Sequence, residues 1–192
     1  MKRCSLFALL IASSLPLSTQ AADSFTIDPD HTFPHFSVNH LGFSTMQGRF
    51  DASSGKVTLD SAAKKGTLEF SVKSASVNTG HAKRDEHLRS PDFFNAAEYP
   101  SITFKSTAIK FEGDKPASVE GNLTLLGVSK PVKLNISAFN CGLHPMDPTK
   151  KKFVCGADVN TQIKRSDFGM KYGVPAVGDD IKLVFEVEAI RD

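Results

Sequence analysis

The segment Ile181-Lys182-Leu183-Val184-Phe185-Glu186-Val187-Glu188 settles the architecture of this chain. Apolar side chains stand at 181, 183, 185 and 187, and charged ones at 182, 186 and 188. That two-residue period is the signature of a β-strand with one face on a core. A strand so strongly patterned would be an aggregation hazard at an open sheet edge. Closing the sheet on itself removes the edge, so the segment predicts a barrel.

The rest of the chain supplies the other staves. Leu68-Glu69-Phe70-Ser71-Val72 alternates in the same way. Val119, Gly121, Leu123 and Leu125 share one strand face, and Val132, Leu134, Ile136 and Ala138 share the next. Shorter alternations cover Phe25–Ile27, Phe36–His40, Val57–Leu59, Ile102–Ser106 and Phe153–Val159. Gly48, inside Thr45–Phe50, predicts a bend or bulge. Turn residues at Asp28-Pro29-Asp30, Ser53-Ser54-Gly55 and Glu112–Pro116 divide the strands. Cys141–Lys152 and Ser166–Asp180 read as longer loops. Eight or more strands joined by short turns imply an antiparallel sheet. The expectation is therefore all-β, an eight-stranded antiparallel barrel whose interior is packed solid or holds one small ligand.

One stretch breaks the pattern. From His81 to Ser90, seven of ten residues are charged or histidine, and helix formers run up to Arg89 before Pro91 ends them. Phe93 and Phe94 follow at once. A polar helical segment over residues 81–94, carrying an aromatic pair between two apolar strands, reads as a lid on the barrel.

Residues 1–21 have a basic start at Lys2-Arg3, an apolar run from Leu6 to Leu17 broken by Ser13, Ser14 and Pro16, and small residues at Thr19 and Ala21. This is the pattern of a secretory signal peptide cleaved after Ala21, too short to span a bilayer. Residues 22–192 then form a single domain of ample size for a core. The 23 basic residues lose Lys2 and Arg3 with the signal and so match the 21 acidic ones. A neutral chain gives no field that would gather nucleic acid, and no other apolar run approaches membrane-spanning length. In an oxidising compartment the remaining pair, Cys141 and Cys155, is expected to form a structural disulfide. Closing that loop is worth about 3 kcal/mol in the chain-entropy model.

Sites of chemistry are sparse. His35 and His40 differ by an odd number and so point to opposite strand faces, which argues against a metal shared with His31. No nucleophile elbow, phosphate loop or H-E-x-x-H sequence is present, and Asp85, His87 and Asp92 read as solvated or capping groups. No catalytic residue and no metal are assigned. Arg84, Arg89 and Arg165, with Lys83 and Lys164, are candidates to meet a head group, and arginine forks suit phosphate. A pairing of Arg84 with neighbouring acids is the alternative. Phenylalanine is abundant and tryptophan absent. Core packing accounts for Phe70, Phe104 and Phe185 on strand faces; Phe43, Phe93, Phe94 and Phe168 lie outside strands and need a barrel mouth or an apolar molecule to cover.

The runs Phe36–Ser44 with Gly48-Arg49-Phe50, Arg84–Phe94, Tyr99–Ser106, Gly121–Val132 and Arg165–Met170 resemble the YceI family of lipocalin-like proteins. The blocks span the chain beyond residue 21 in family order. The resemblance implies a lipocalin-like barrel holding a long isoprenoid, fatty-acid amide or quinone-like molecule, export to the periplasm or beyond, and often a homodimer. It places His40, Phe43, the Arg84–Phe94 segment and the Phe168 loop at the tunnel mouth. Phe36, Val38, Phe70, Phe104 and Phe185 then belong to the lumen wall, with Phe93 and Phe94 against the chain. The expected function is a periplasmic or secreted carrier for a long-chain lipid, with no other cofactor. Two alternatives remain at this point: an enzyme acting on a lipid head group, and a ligand-free surface or stress-response module, which a solid phenylalanine-filled core would mark.

Overall fold

A computed structural model of the protein describes residues 22–192; the expected signal peptide, with Cys4, lies outside the described residues. The strands are β1 (Asp23–Ile27), β2 (Phe33–His40), β3 (Ser44–Phe50), β4 (Ser53–Asp60), β5 (Lys65–Lys73), β6 (Val77–Asn78), β7 (Ser101–Glu112), β8 (Lys115–Leu125), β9 (Val128–Leu143), β10 (Phe153–Lys164) and β11 (Val177–Arg191). A short helix, α1 (Ala82–Arg89), lies between β6 and β7. The ring runs β1-β4-β5-β7-β8-β9-β10-β11 and closes by pairing of β11 with β1, giving the antiparallel eight-stranded barrel.

One edge of β11 serves two strands. Its end, Ala189–Arg191, pairs with β1, while Val177–Glu186 pairs with β2. β4 and β3 follow on β1 and β2 in the same end-to-end manner. The bend between β1 and β2 is held by Thr32, which is fully buried. Its hydroxyl accepts from Glu188 N at 3.1 Å, and its carbonyl accepts from the Ser53 hydroxyl at 2.8 Å. β6 is too short to carry the sheet on to β7, and α1 fills the space. Arg89 ties the helix down by donating to the carbonyls of Ala75 (2.7 Å) and Val77 (3.1 Å).

Two apolar clusters form the interior. Phe50, Val72, Val77, Phe94, Leu125, Phe168 and Met170 pack at the helix end, and Phe25, Ile27, Leu59, Cys155 and Ala189 at the other. Phe50 meets Phe94 edge-on at 5.2 Å, and Phe36 lies 5.8 Å from Phe50.

Five sequence expectations are corrected here. Ser53-Ser54-Gly55 is not a turn: it opens β4, paired with Val72, Ser71 and Phe70 of β5. Gly48 is not a bulge: it pairs in register with Phe36, and an added Cβ would collide with the Phe36 ring. The glycine makes room for an aromatic side chain. β9 runs on to Leu143, so Cys141 is a strand residue paired directly with Cys155, and the disulfide links adjacent staves. β11 begins at Val177 and reaches its regular register at Ile181 through a bulge, which shortens the preceding loop. A second irregularity pairs Val159 with Ile136 but Asp158 with Ala138. The extra residue turns Phe139, in place of Ala138, to the inside.

Candidate functional site: an apolar cavity along the barrel

The inward alternation of the strands leaves a space that their own side chains do not fill. A cavity of about 550 Å³ runs inside the barrel, within the range of small-molecule sites. Its wall is built at the two-residue period: Leu68, Phe70 and Val72 from β5; Val132, Leu134 and Ile136 from β9; Ile181, Leu183, Phe185 and Val187 from β11. At the far end the wall includes Phe25, Ile27, Phe139 and Cys155.

Polar groups gather where α1, the β2–β3 turn and the loop before β11 meet. His40, Gln47, Thr79, Arg84, His87 and Tyr172 all reach the cavity there. The rings of His87, Phe93 and Tyr172 form an edge-to-face triad, with centroids 5.0 Å apart for His87–Phe93 and 5.3 Å for each of the other pairs. His87 Nε2 also lies 2.9 Å from the Asp92 carboxylate. Tyr172 is half exposed, so this end is where the cavity approaches solvent.

The helix is positioned by a buried acid. Asp85 accepts bonds from the backbone N–H and the hydroxyl of Thr79. Arg84 then donates through Nε to the Thr79 hydroxyl (2.7 Å) and through Nη2 to the Thr79 carbonyl (2.9 Å). Arg84 thus bonds to threonine rather than to an acid, and its Nη1 has no hydrogen bond among the described residues. Arg165 is used differently. It is 3% exposed and donates to the carbonyls of Gly178, Met170, Tyr172 and Val177, stapling the loop that presents Tyr172. Burial draws its pKa below the ordinary value, and Asp179 nearby works in the opposite direction.

Of the residues singled out from sequence, Phe36, Val38, His40, Phe70, Phe93, Phe94, Phe104 and Phe185 line the cavity, as do Arg84 and Arg165. Phe168 is buried in the adjoining core instead, at 1% exposure. Phe43 lies outside, 90% exposed at the β2–β3 turn. Arg89 is engaged with β6 and the turn before it. Tyr172, Leu88 and Met170 were not anticipated: they lie in loop, helix or irregular segments whose inward face no period announces, whereas Met46, also missed, stands on β3 opposite Val38, where the two-residue period could have found it.

The histidines stay apart. His35 pairs with Glu186 at 3.2 Å, and His31 Nδ1 lies 3.1 Å from Asp28 Oδ2. Among the described residues Asp28, His31 and Glu188 bring possible ligand atoms within 4.8 Å of one another. Lys152 Nζ sits 3.9 Å from the same Asp28 oxygen. The hydrogen bond to Asp28 raises the His31 pKa, favouring the protonated ring that cannot ligate a metal. The group reads as an ion pair on the barrel exterior.

The profile of the YceI-like domain matches residues 25–189, nearly all of the barrel. The chain belongs to the YceI family. A UPF0312 protein of Pseudomonas paraeruginosa is 37% identical over 198 residues, covering all of both chains. The crystal structure of the Campylobacter jejuni YceI protein superposes with a TM-score of 0.67 at 34% identity, covering 80% of this chain and 90% of that one. A polyisoprenoid-binding domain from Saccharophagus degradans superposes with a TM-score of 0.63 at 18% identity, covering 88% and 98%, and shows a shared fold. No helix among the described residues is long and apolar enough to cross a membrane.

Proposed function

We propose that the protein binds one long-chain amphiphilic lipid of isoprenoid type in its barrel and carries it in the periplasm or outside the cell. The observation that carries this reading is the apolar cavity with its polar groups confined to one end. Such a cavity has no water partners along its length. An acyl or isoprenoid chain would gain about 0.8 kcal/mol for each methylene it buries there. The interior is not a solid phenylalanine core, which removes the support a ligand-free module would have had. Family membership and the ligand class of the Saccharophagus degradans domain support the same reading.

In this reading the chain lies along Phe36, Val38, Phe70, Phe104 and Phe185. The head group meets His40, Arg84 and Tyr172, with Phe93 and Phe94 beside the first carbons. Arg165 shapes the mouth without spending a donor on the ligand. Arg84 Nη1 can bond an oxygen-bearing head, whether phosphate, amide or quinone carbonyl. Native mass spectrometry of protein purified from its own host tests the proposal. The expected result is a mass increment matching a long-chain lipid. A barrel that is empty from its host and takes up no isoprenoid alcohol in titration overturns it.

A further inference from the structure

The β2–β3 turn carries a feature that neither the fold nor the cavity uses. Leu41 (φ 56°) and Gly42 (φ 75°) form a two-residue left-handed turn, a conformation that favours glycine and asparagine. A leucine there is conformationally costly. Its side chain is 50% exposed, and the next apolar residue, Phe43, is 90% exposed. The turn is nonetheless firmly held. Gly42 N donates to Asn39 Oδ1 (2.9 Å), Phe43 N to His40 O (3.0 Å), and Leu41 N to Ala176 O (2.8 Å). Backbone strain combined with two solvent-facing apolar side chains disfavours the folded protein on both counts, so these residues answer to something outside the fold.

The bond to Ala176 joins the turn to the loop of residues 169–176, which presents the half-exposed Tyr172 at the cavity mouth. The two segments therefore make one rim. Residues 36–48 contain no Asp, Glu, Lys or Arg, and residues 168–178 contain one lysine, Lys171, and no acid. The rim formed by these two segments offers leucine, phenylalanine and tyrosine with one cation and no acid, beside the exposed His87–Asp92 pair that α1 brings to the same mouth. It has the composition of an interfacial membrane contact.

We propose that the Leu41–Phe43 turn and the Tyr172 loop dock the barrel mouth onto a lipid bilayer, placing the cavity entrance at the membrane surface. The proposal rests on the lipid-carrier reading for its purpose, and its test is separable from it. With Lys171 the one formally charged side chain on these two segments, docking is driven by apolar insertion; it persists at high salt and does not require anionic lipid. The chain has no tryptophan, so Phe43→Trp installs a sole reporter. With vesicles of phosphatidylethanolamine and phosphatidylglycerol, its emission shifts to the blue and is quenched by brominated acyl chains. Adding Leu41→Ser or Tyr172→Ser to that variant lowers the vesicle partition coefficient by about tenfold or more, the loss expected for one inserted apolar side chain. Circular dichroism of each variant checks that the barrel is intact. Emission that ignores vesicles overturns the proposal, and so does a shift that follows protein concentration alone, which would assign the rim to a second copy of the chain. An F43W protein that fills its barrel from an ethanolic isoprenoid stock yet ignores vesicles refutes docking alone. One that binds vesicles but never fills refutes the carrier reading alone.

Discussion

Replacing Ala157 with phenylalanine puts a ring into the far part of the cavity, away from the mouth. Ala157 faces inward on β10, between Phe139 of β9 and Val187 of β11, and all three line the space. A benzyl group there takes the volume of about four ligand methylenes, and at 0.8 kcal/mol each the ligand loses about 3 kcal/mol of burial. That corresponds to a dissociation constant raised about 150-fold. The ring enters empty apolar space, so overpacking does not arise and the unliganded protein melts at or above the wild-type temperature. Titration calorimetry with geranylgeraniol measures the affinity, and thermal unfolding without ligand measures the scaffold. An A157F protein that melts normally and binds as tightly as wild type would show that the ligand does not reach the far part of the cavity, and burial of a long chain along the barrel would fall.

Three further outcomes follow from particular contacts. Gly48→Ala should destabilise the protein by about 1–3 kcal/mol, because the new methyl collides with the Phe36 ring that packs on Phe50 and Phe94; chemical denaturation reads this, and an unchanged midpoint would contradict it. Replacing Cys141 and Cys155 together by serine should lower stability by about 3 kcal/mol, from the sequence separation of 14 alone, and added reductant should then have no effect on the variant. Asp192 is held at a pKa of about 2 by hydrogen bonds from Ser24, Thr26 and Lys56. Its stabilising contribution is complete above the ordinary carboxylate pKa of about 3.9 and is lost as pH falls toward 2. Wild type and Asp192→Asn should therefore differ in melting temperature at pH 6 and converge as pH drops through that window; a constant difference would remove Asp192 from the seam.

Periodicity carried most of the fold. Leu68, Phe70, Val72, Val132, Leu134, Ile136, Ile181, Leu183, Phe185 and Val187 face the interior as the alternation requires, because a buried face leaves no freedom in the choice. The same rule fails at Ala138, where a single extra residue reverses every side chain beyond it, and bulges leave no compositional mark. Gly48 was misjudged because a glycine looks alike in sequence whether it bends a chain or clears space for a ring from the neighbouring strand. At the mouth, charge alone misled. Arg165 is basic and well placed, yet four carbonyls take up its donors, and that depends on loop geometry no local pattern encodes. Tyr172 and Met170 were hidden for the same reason.

The pairing of Phe25–Ile27 with Ala189–Arg191 has a kinetic consequence. Every other stave of the ring can zip onto a neighbour nearby in the chain, but this last ladder joins segments more than 160 positions apart, and the β2–β11 ladder that continues it along the same edge joins segments more than 130 apart. Loop-closure entropy grows only as the logarithm of that separation, so the penalty is bearable once the intervening hairpins have shortened the effective loop. It cannot be met early. Folding is therefore expected to proceed as a curling sheet whose two borders meet last, with a correspondingly slow final phase. Until that moment β1 and the far end of β11 are bare ladders, and the growing sheet is at its most vulnerable to pairing with another copy of itself.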